Sequence, residues 1–376
     1  MRIGYDAKRM FHNWRGLGNY SRDLVTNLKN FEPNNLYLLY TPPFNDPRAE
    51  EFGKNFIPDE IKTPKSFFSR NFPSVWRRNL SKILENDKIE LFHGLSHEIP
   101  YGLKKRGIKS VVTIHDLIFL RYPEYFPWID RKIYLSKVKH AVKEADVIIA
   151  ICEQTREDLI NFLNVKPDKI KICYQTCHSG FQENISDDLI KEVRHKYQID
   201  RPYFLYVGAL EPRKNLLNLI EGFSYFGSSH DLVIVGRKND YQQVVLDKIK
   251  KCNVDNNVKI LNDVPQADLP ALYKGAEIFC FPSFFEGFGI PIIEALFSGT
   301  PVVTSEGSCF PEVAGKGALY INPDSSFQIG KALYELTSNF ELKNRLIREG
   351  QEHVQKFSSK NTVKELFTIY QNLLDS

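Results

Sequence analysis

Short runs of β-branched and aliphatic residues alternate with amphipathic stretches along almost all of the 376 residues. A run too short for a helix and apolar on both faces reads as a buried parallel strand. The amphipathic stretch after it reads as the crossover helix that returns the chain to the same end of the sheet. That alternation restricts the fold to the α/β class. In the first half it predicts strands near 3–6, 36–40, 89–93, 110–114, 147–151 and 170–174, and helices near 17–28, 75–85, 130–143 and 154–162. Residues 41–70 break the rhythm, are rich in Pro and Phe, and read as irregular.

A polar stretch at 175–186 precedes a new helix and a strand at 203–207, after which the alternation restarts. It runs through helix 216–226, strand 232–235, helix 241–252, strand 258–261, helix 268–274, strand 278–281, helix 291–297 and strands 301–304 and 318–321. Three helices follow, the last near 361–374 after a break at 357–359. No repeat of fixed period is visible, so two similar α/β domains are expected, residues 1–180 and 181–359, with the linker near 175–186.

With 42% hydrophobic and 26% charged residues and a mean hydropathy of -0.34, the composition excludes a disordered or fibrous chain. No apolar stretch approaches a membrane span and Met1–Asp6 lacks a secretory apolar region, so a cytoplasmic location is expected. Six cysteines spread through such a chain read as small buried hydrophobes, and Cys173, Cys177 and His178 lack a second pair at zinc spacing. Residues 1–180 hold 29 Lys and Arg against 21 Asp and Glu, net +8, whereas residues 181–376 hold 21 against 25, net -4. The first half is therefore the one expected to meet an anionic partner. Its stretches 67–78 and 121–139 mix cations with aromatic residues. Lys132, Ser136 and Lys139 share one helical face, with Ile133, Leu135 and Val138 available for burial, so both an anionic membrane surface and an ordinary helix on the sheet remain open readings.

Four segments carry candidate chemistry. Gly16 and Gly18 lie in a strand-to-helix turn, where bare N–H groups can approach a phosphate. Ser21 in place of the last glycine of G-x-G-x-x-G weakens a dinucleotide reading, and a tight turn remains the alternative. His115, with Asp116, follows strand 110–114, at the end of a parallel strand where ligands of such sheets bind. After strand 203–207, Gly208 to Asn215 bring Arg213 and Lys214 to a helix start with Asn215 as N-cap, an arrangement suited to a diphosphate. The densest segment is Pro282 to Ala295. Glu286 and Glu294 fall eight residues apart, roughly 12 Å along a helix. That exceeds the spacing of a glycosidase pair and suits two hydroxyl-binding groups. Gly287, Phe288 and Gly289 separate them and bare backbone for close contact.

At these residues the chain resembles the retaining glycosyltransferases of family 4, and moderately their mannosyltransferase-like branch. The matching segments, in order, are the glycine turn at 16–18, Thr113 to Leu117, Glu211 to Asn215, Glu286-x7-Glu294, Gly299 to Val303 and Pro311 to Gly315. The resemblance implies the GT-B fold, two facing Rossmann-like domains with a cleft between them, the helix 360–376 packing back on the first. It implies a nucleotide diphosphate sugar, with GDP-mannose the best guess, bound mainly by the second domain, and a glycan or lipid-linked glycan acceptor bound by the first. Arg213 and Lys214 would neutralise the diphosphate, Glu286 with Gly287 to Gly289 would hold the sugar, Glu294 would take the ribose, and His115 would approach the anomeric carbon. Some members carry an arginine where this chain has Ala209, and Arg213 is the candidate replacement. No Asp-x-Asp occurs, so no metal or other cofactor is expected, nor is a nucleic-acid partner. A peripheral position on the inner face of the membrane, in cell-surface polysaccharide synthesis, is the implied setting. A non-hydrolysing nucleotide-sugar epimerase and an inactive binding protein are the alternatives.

Overall fold

The computed structural model describes residues 1–64, 76–77, 79–226 and 229–376. The chain forms two compact units, Met1–Thr176 with Ser359–Ser376, and Cys177–Ser358.

The first unit is built on a parallel sheet of β1 (Arg2–Asp6), β2 (Leu36–Tyr40), β3 (Ile61–Lys62), β4 (Leu91–Gly94), β5 (Lys109–Ile114), β6 (Val147–Ala150) and β7 (Ile170–Ile172). Its strand order is β3-β2-β1-β4-β5-β6-β7. The second unit carries β8 (Tyr203–Val207), β9 (Asp231–Val235), β10 (Val258–Leu261), β11 (Ile278–Phe281), β12 (Val302–Ser305) and β13 (Ala318–Ile321), ordered β10-β9-β8-β11-β12-β13 and again parallel. Both orders run outward in one direction from the first strand and then in the other. Each sheet therefore has a topological switch point, between β1 and β4 and between β8 and β11. Chains leaving such neighbouring strands diverge to opposite faces and leave a crevice at the carboxyl ends.

Residues of β2 show how the sheet divides the first core. Leu38 and Tyr40 pack on one face with Phe92, Val112 and Ile148, while Tyr37 and Leu39 pack on the other with Tyr5, Leu24 and Val25. The second face is completed by the C-terminal helix Ser359–Leu374, whose Val363, Leu366, Tyr370 and Leu373 recur at helical spacing and are buried there. The Tyr370 hydroxyl meets His93 Nδ1 at 2.6 Å, and His93 Nε2 meets Thr113 Oγ1 at 2.8 Å. In the second unit, Leu216, Leu219, Ile220 and Phe223 of helix Leu216–Ser224 join Phe204, Ile234 and Leu333.

Two expectations are corrected. Residues 41–70 are not irregular throughout: Asp46 caps helix Pro47–Gly53 through the Arg48 N–H, and β3 pairs with β2. These elements, like helix Lys8–His12, are shorter than the window over which a period can be read. Of the helix expected at 75–85, the described residues 76–77 and Leu80–Asn86 are helical; residues 67–75 and Arg78 of the aromatic and cationic stretch lie outside the described residues. In helix Trp128–Glu144 the buried residues are Val138, Ala141 and Val142, whereas Ile133, expected to be buried, is 47% exposed. The helix meets its sheet only along its C-terminal half, so Trp128, Ile129 and Tyr134 are exposed as well. Among the described residues no helix is long and apolar enough to cross a membrane.

Candidate active site

In the second unit the two segments after β8 and β11 meet at the switch point. Residues Pro212–Lys214 form a 3-10 turn and Asn215 adopts a left-handed backbone, φ +59°. Asn tolerates that conformation better than most residues. Asn215 was expected to cap the next helix with its side chain. Instead its Nδ2 donates to the carbonyls of Pro282 at 2.9 Å and Pro323 at 2.7 Å, tying the β8 turn to the loop after β11. A second tie is the Phe284 N–H, which donates to the Arg213 carbonyl at 3.0 Å.

These ties set the charged groups. Lys214 Nζ donates to Glu286 Oε1 at 2.6 Å, and Arg213 Nη1 lies 2.8 Å from Glu286 Oε2. Arg213 Nη2 also donates to Glu211 Oε1 at 2.6 Å, and the Lys214 ammonium lies 5.1 Å from the Phe281 ring centre. Glu286 is 8% exposed. Burial pushes its carboxyl up, but Lys214 and Arg213 more than offset this and hold it below the usual carboxylate range. The two cations expected to face a diphosphate are thus already matched by carboxylates.

The backbone of the Glu286 loop is fastened from the end of β12 and the turn after it. Ser308, itself at φ +50°, donates through Oγ to the Glu286 carbonyl at 3.1 Å, Cys309 Sγ to the Phe288 carbonyl at 2.6 Å, and Ser305 Oγ to the Ser283 carbonyl at 2.7 Å. Gly289, φ +113°, makes the entry to helix Ile290–Phe297, a conformation that a side chain would strain. Gly287 and Phe288 lie between, with Phe288 buried against Phe357. Glu294, on the helix, accepts from the Tyr273 hydroxyl at 2.7 Å. Gly208 follows β8, where an added Cβ would meet the Tyr206 hydroxyl at 2.9 Å. The structure therefore gathers Arg213, Lys214 and Glu286 into one cluster and puts Gly208, Gly287, Phe288, Gly289 and Glu294 on the elements that form it.

In the first unit His115 follows β5 and is buried. Its Nε2 donates to the Leu95 carbonyl at 2.8 Å, its Nδ1 meets Gln175 Nε2 at 2.7 Å, and the Tyr20 ring stands edge-on at 4.7 Å. Burial, with His97 nearby, lowers its pKa to about 3, so the imidazole is neutral. Both nitrogens are engaged, so hydrogen bonds hold the ring in place. Gly16 opens helix Gly16–Phe31, whose N-cap Arg15 supplies no side-chain cap. Gly18 has a structural need of its own, since a Cβ there would come within 1.7 Å of the Asn13 carbonyl oxygen.

Gln175, Tyr20, Ser308, Cys309 and Tyr273 were not foreseen. A small polar pair between a strand and a proline-initiated helix marks Ser308 and Cys309 as loop anchors in retrospect, whereas Tyr273 reads as an ordinary core residue of its helix. All five side chains contact the foreseen residues or the backbone beside them.

Residues 14–176 match the family model described as Glycosyltransferase Family 4, and residues 190–353 match Glycosyl transferases group 1. The chain is similar to O-antigen chain mannosyltransferase B of Escherichia coli, at 27% identity over 99% of this chain and 100% of that one. It is 30% identical to O-antigen chain mannosyltransferase RfbU of Salmonella typhimurium strain LT2, over 67% of this chain and 66% of that one. The Anabaena protein HepE, solved in complex with UDP-glucose, shares the fold with a TM-score of 0.78 at 16% identity, covering 99% of this chain and 100% of that one. Sequence in both halves and fold over nearly the whole length agree, and the chain belongs to the glycosyltransferases of family 4, with a GT-B type pair of α/β units.

Proposed function

We propose that the protein transfers a hexose, with retention, from a nucleoside diphosphate sugar to a glycan or lipid-linked glycan in cell-surface polysaccharide synthesis, and that the donor is GDP-mannose. The observation that carries the reading is the Arg213–Lys214–Glu286 cluster at a switch point. The Glu286 carboxylate pairs with both cations. A diphosphate is a stronger partner for Arg and Lys and would take them over, which frees Glu286 and the backbone near Gly287 and Gly289 for sugar hydroxyls. Glu294, already accepting from Tyr273, would take the ribose hydroxyls. Gly208 lets the backbone pass close to the phosphates, and Gly16 and Gly18, in the first turn of helix Gly16–Phe31, are the candidate donor contacts of the first unit.

In the reaction the bond between the anomeric carbon and the phosphate oxygen breaks, the acceptor oxygen bonds to that carbon on the same face, and the acceptor proton passes to the leaving phosphate oxygen. Arg213 and Lys214 stabilise the charge that develops on the diphosphate. His115 serves as a neutral hydrogen-bonding group, and no cofactor takes part. The sugar and the setting rest on the likeness to mannosyltransferases of O-antigen synthesis. The likeness to a protein solved with UDP-glucose supports a nucleotide-sugar donor in general.

The acceptor side of the reading includes an anionic membrane at the inner face. It is supported by exposed Trp128, Ile129, Ile133 and Tyr134 beside Lys132 and Lys139 on one helix. Release of nucleoside diphosphate from a panel of GDP-, UDP- and ADP-sugars, with and without extracted lipid-linked glycan, tests the proposal. Release from GDP-mannose above the others, increased by the glycan, is expected; no release from any donor would reject transfer.

A further inference from the structure

The first unit carries a cavity lined by charged side chains and by Leu80, Ile99 and Pro100. Asp6 ends β1, and Glu98 lies four residues beyond β4, the neighbouring strand across the switch point. Arg77 spans the two, with Nη2 3.1 Å from Asp6 Oδ2 and Nη1 3.2 Å from Glu98 Oε2. Lys137 Nζ donates to Glu98 Oε1 at 2.9 Å. With Tyr101 and His140 these side chains line a cavity of about 370 Å³, within the roughly 300–1,000 Å³ of small-ligand sites and at their lower end.

The lining specifies a ligand class. Among the lining side chains two carboxylates stand against two cations, so the lining itself has no formal net charge. Alternating fixed acceptors and donors instead suit hydroxyl groups, each of which both donates and accepts. Tyr101 is 65% exposed, yet its ring is stacked on His140 with centroids 3.7 Å apart and planes 28° apart. That makes an aromatic plate already held in place, suited to the C–H face of a pyranose. The His140 ring is bonded to the Ile99 backbone, while its Nε2 is buried with no partner. A buried polar atom left unpaired costs stability that a ligand hydroxyl would restore.

We infer that this cavity binds a neutral sugar ring of the acceptor glycan, stacked on Tyr101 and hydrogen-bonded by Asp6, Glu98 and Arg77. The inference rests on the transferase reading above for the word acceptor, and on the cavity alone for the sugar. It assigns the end of a glycan, not the charged group of its lipid carrier, to this part of the unit.

Saturation-transfer NMR on the full chain with methyl α-glycosides of mannose, glucose, galactose and N-acetylglucosamine tests it, with mannose 6-phosphate as the anionic control. At least one neutral glycoside should receive saturation at its ring C–H protons. Tyr101→Ala should weaken that binding roughly tenfold, the loss of about 1.4 kcal/mol of stacking, and Tyr101→Phe should restore it. Because Tyr101 is exposed, circular dichroism of both variants should match the parent. Equal binding to parent and Tyr101→Ala, tighter binding of mannose 6-phosphate, or no transfer to any glycoside would overturn the assignment. Donor turnover by the parent separates the two claims. Nucleotide release without Tyr101-dependent glycoside binding rejects this cavity alone, whereas Tyr101-dependent binding with no nucleotide release upholds the sugar site and rejects transfer.

Discussion

Glu286 Oε1 accepts from Lys214 Nζ at 2.6 Å although 72 residues of chain separate them. The pair joins the turn after β8 to the loop after β11, and Arg213 holds the other carboxylate oxygen. A buried carboxylate between two cations is a preformed charge arrangement, so its removal should affect turnover more than folding.

Lys214→Ala and Glu286→Ala should each lower turnover by about 100- to 1,000-fold, the usual cost of removing one preorganised charged group. Nucleotide release read alongside the unfolding midpoint checks this, and near-normal transfer by either variant contradicts the assigned cluster.

Activity should persist in excess EDTA, because Arg213 and Lys214 are the groups assigned to the diphosphate charge. Loss of activity that magnesium or manganese restores would mean that a metal ion carries that load.

Asn215→Ala should destabilise the second unit. It removes donors to the Pro282 and Pro323 carbonyls and places alanine at φ +59°. The Pro282 carbonyl loses this donor at a cost of about 1–3 kcal/mol, whereas the Pro323 carbonyl keeps the Asn218 Nδ2 donor at 3.0 Å. Denaturant titration measures the loss, and a midpoint equal to that of the parent would show that the two bonds hold nothing together.

The first unit should be acid-labile. Burial lowers the pKa of His93 to about 3, of His97 to about 4 and of His115 to about 3, all below the ordinary value near 6.5. The folded unit therefore takes up protons less readily than the unfolded chain. The stability contributed by neutral histidines is complete above pH 6.5 and is lost as pH falls from there towards 3, by about 1.4 kcal/mol per pH unit for each histidine. Hydrogen exchange at β4 and β5 between pH 7 and 4 should show progressive loss of protection, and His97→Gln should flatten that slope.

Vesicle flotation should recover the protein on anionic liposomes and not on neutral ones, with recovery falling as salt rises. Trp128→Ser combined with Ile129→Ser should reduce recovery at least severalfold. Equal recovery on both lipids would reject an electrostatic contact.

Much of this architecture was readable because buried parallel strands are nearly continuous apolar runs: 36–40, 258–261, 278–281 and 318–321 coincide with β2, β10, β11 and β13. Several crossover helices were legible from the same alternation, 130–143 and 154–162 lying within Trp128–Glu144 and Glu153–Leu163. The clustering of Arg213, Lys214 and Glu286 was legible only as two segments that each follow a strand; that β8 and β11 are neighbours is a fact of strand order, which no local pattern encodes. The same limit hid the place of Arg77, part of a stretch that mixes cations with aromatic residues, between Asp6 and Glu98. Ile133 misled because amphipathic spacing tells which residues share a face and not how much of the helix the sheet covers.

Tyr370, bonded to His93 in the heart of the first sheet, gives the molecule a direction in time. Residues that close this core are made after the whole second unit, Cys177–Ser358. A nascent chain can bury the apolar surface of the second unit while the underside of β1 and β4 is still waiting for Val363, Leu366 and Tyr370. The segment translated first is therefore the last to finish folding, and the interval of translation between Thr176 and Ser359 is when the first sheet is most open to chaperones and to misassociation.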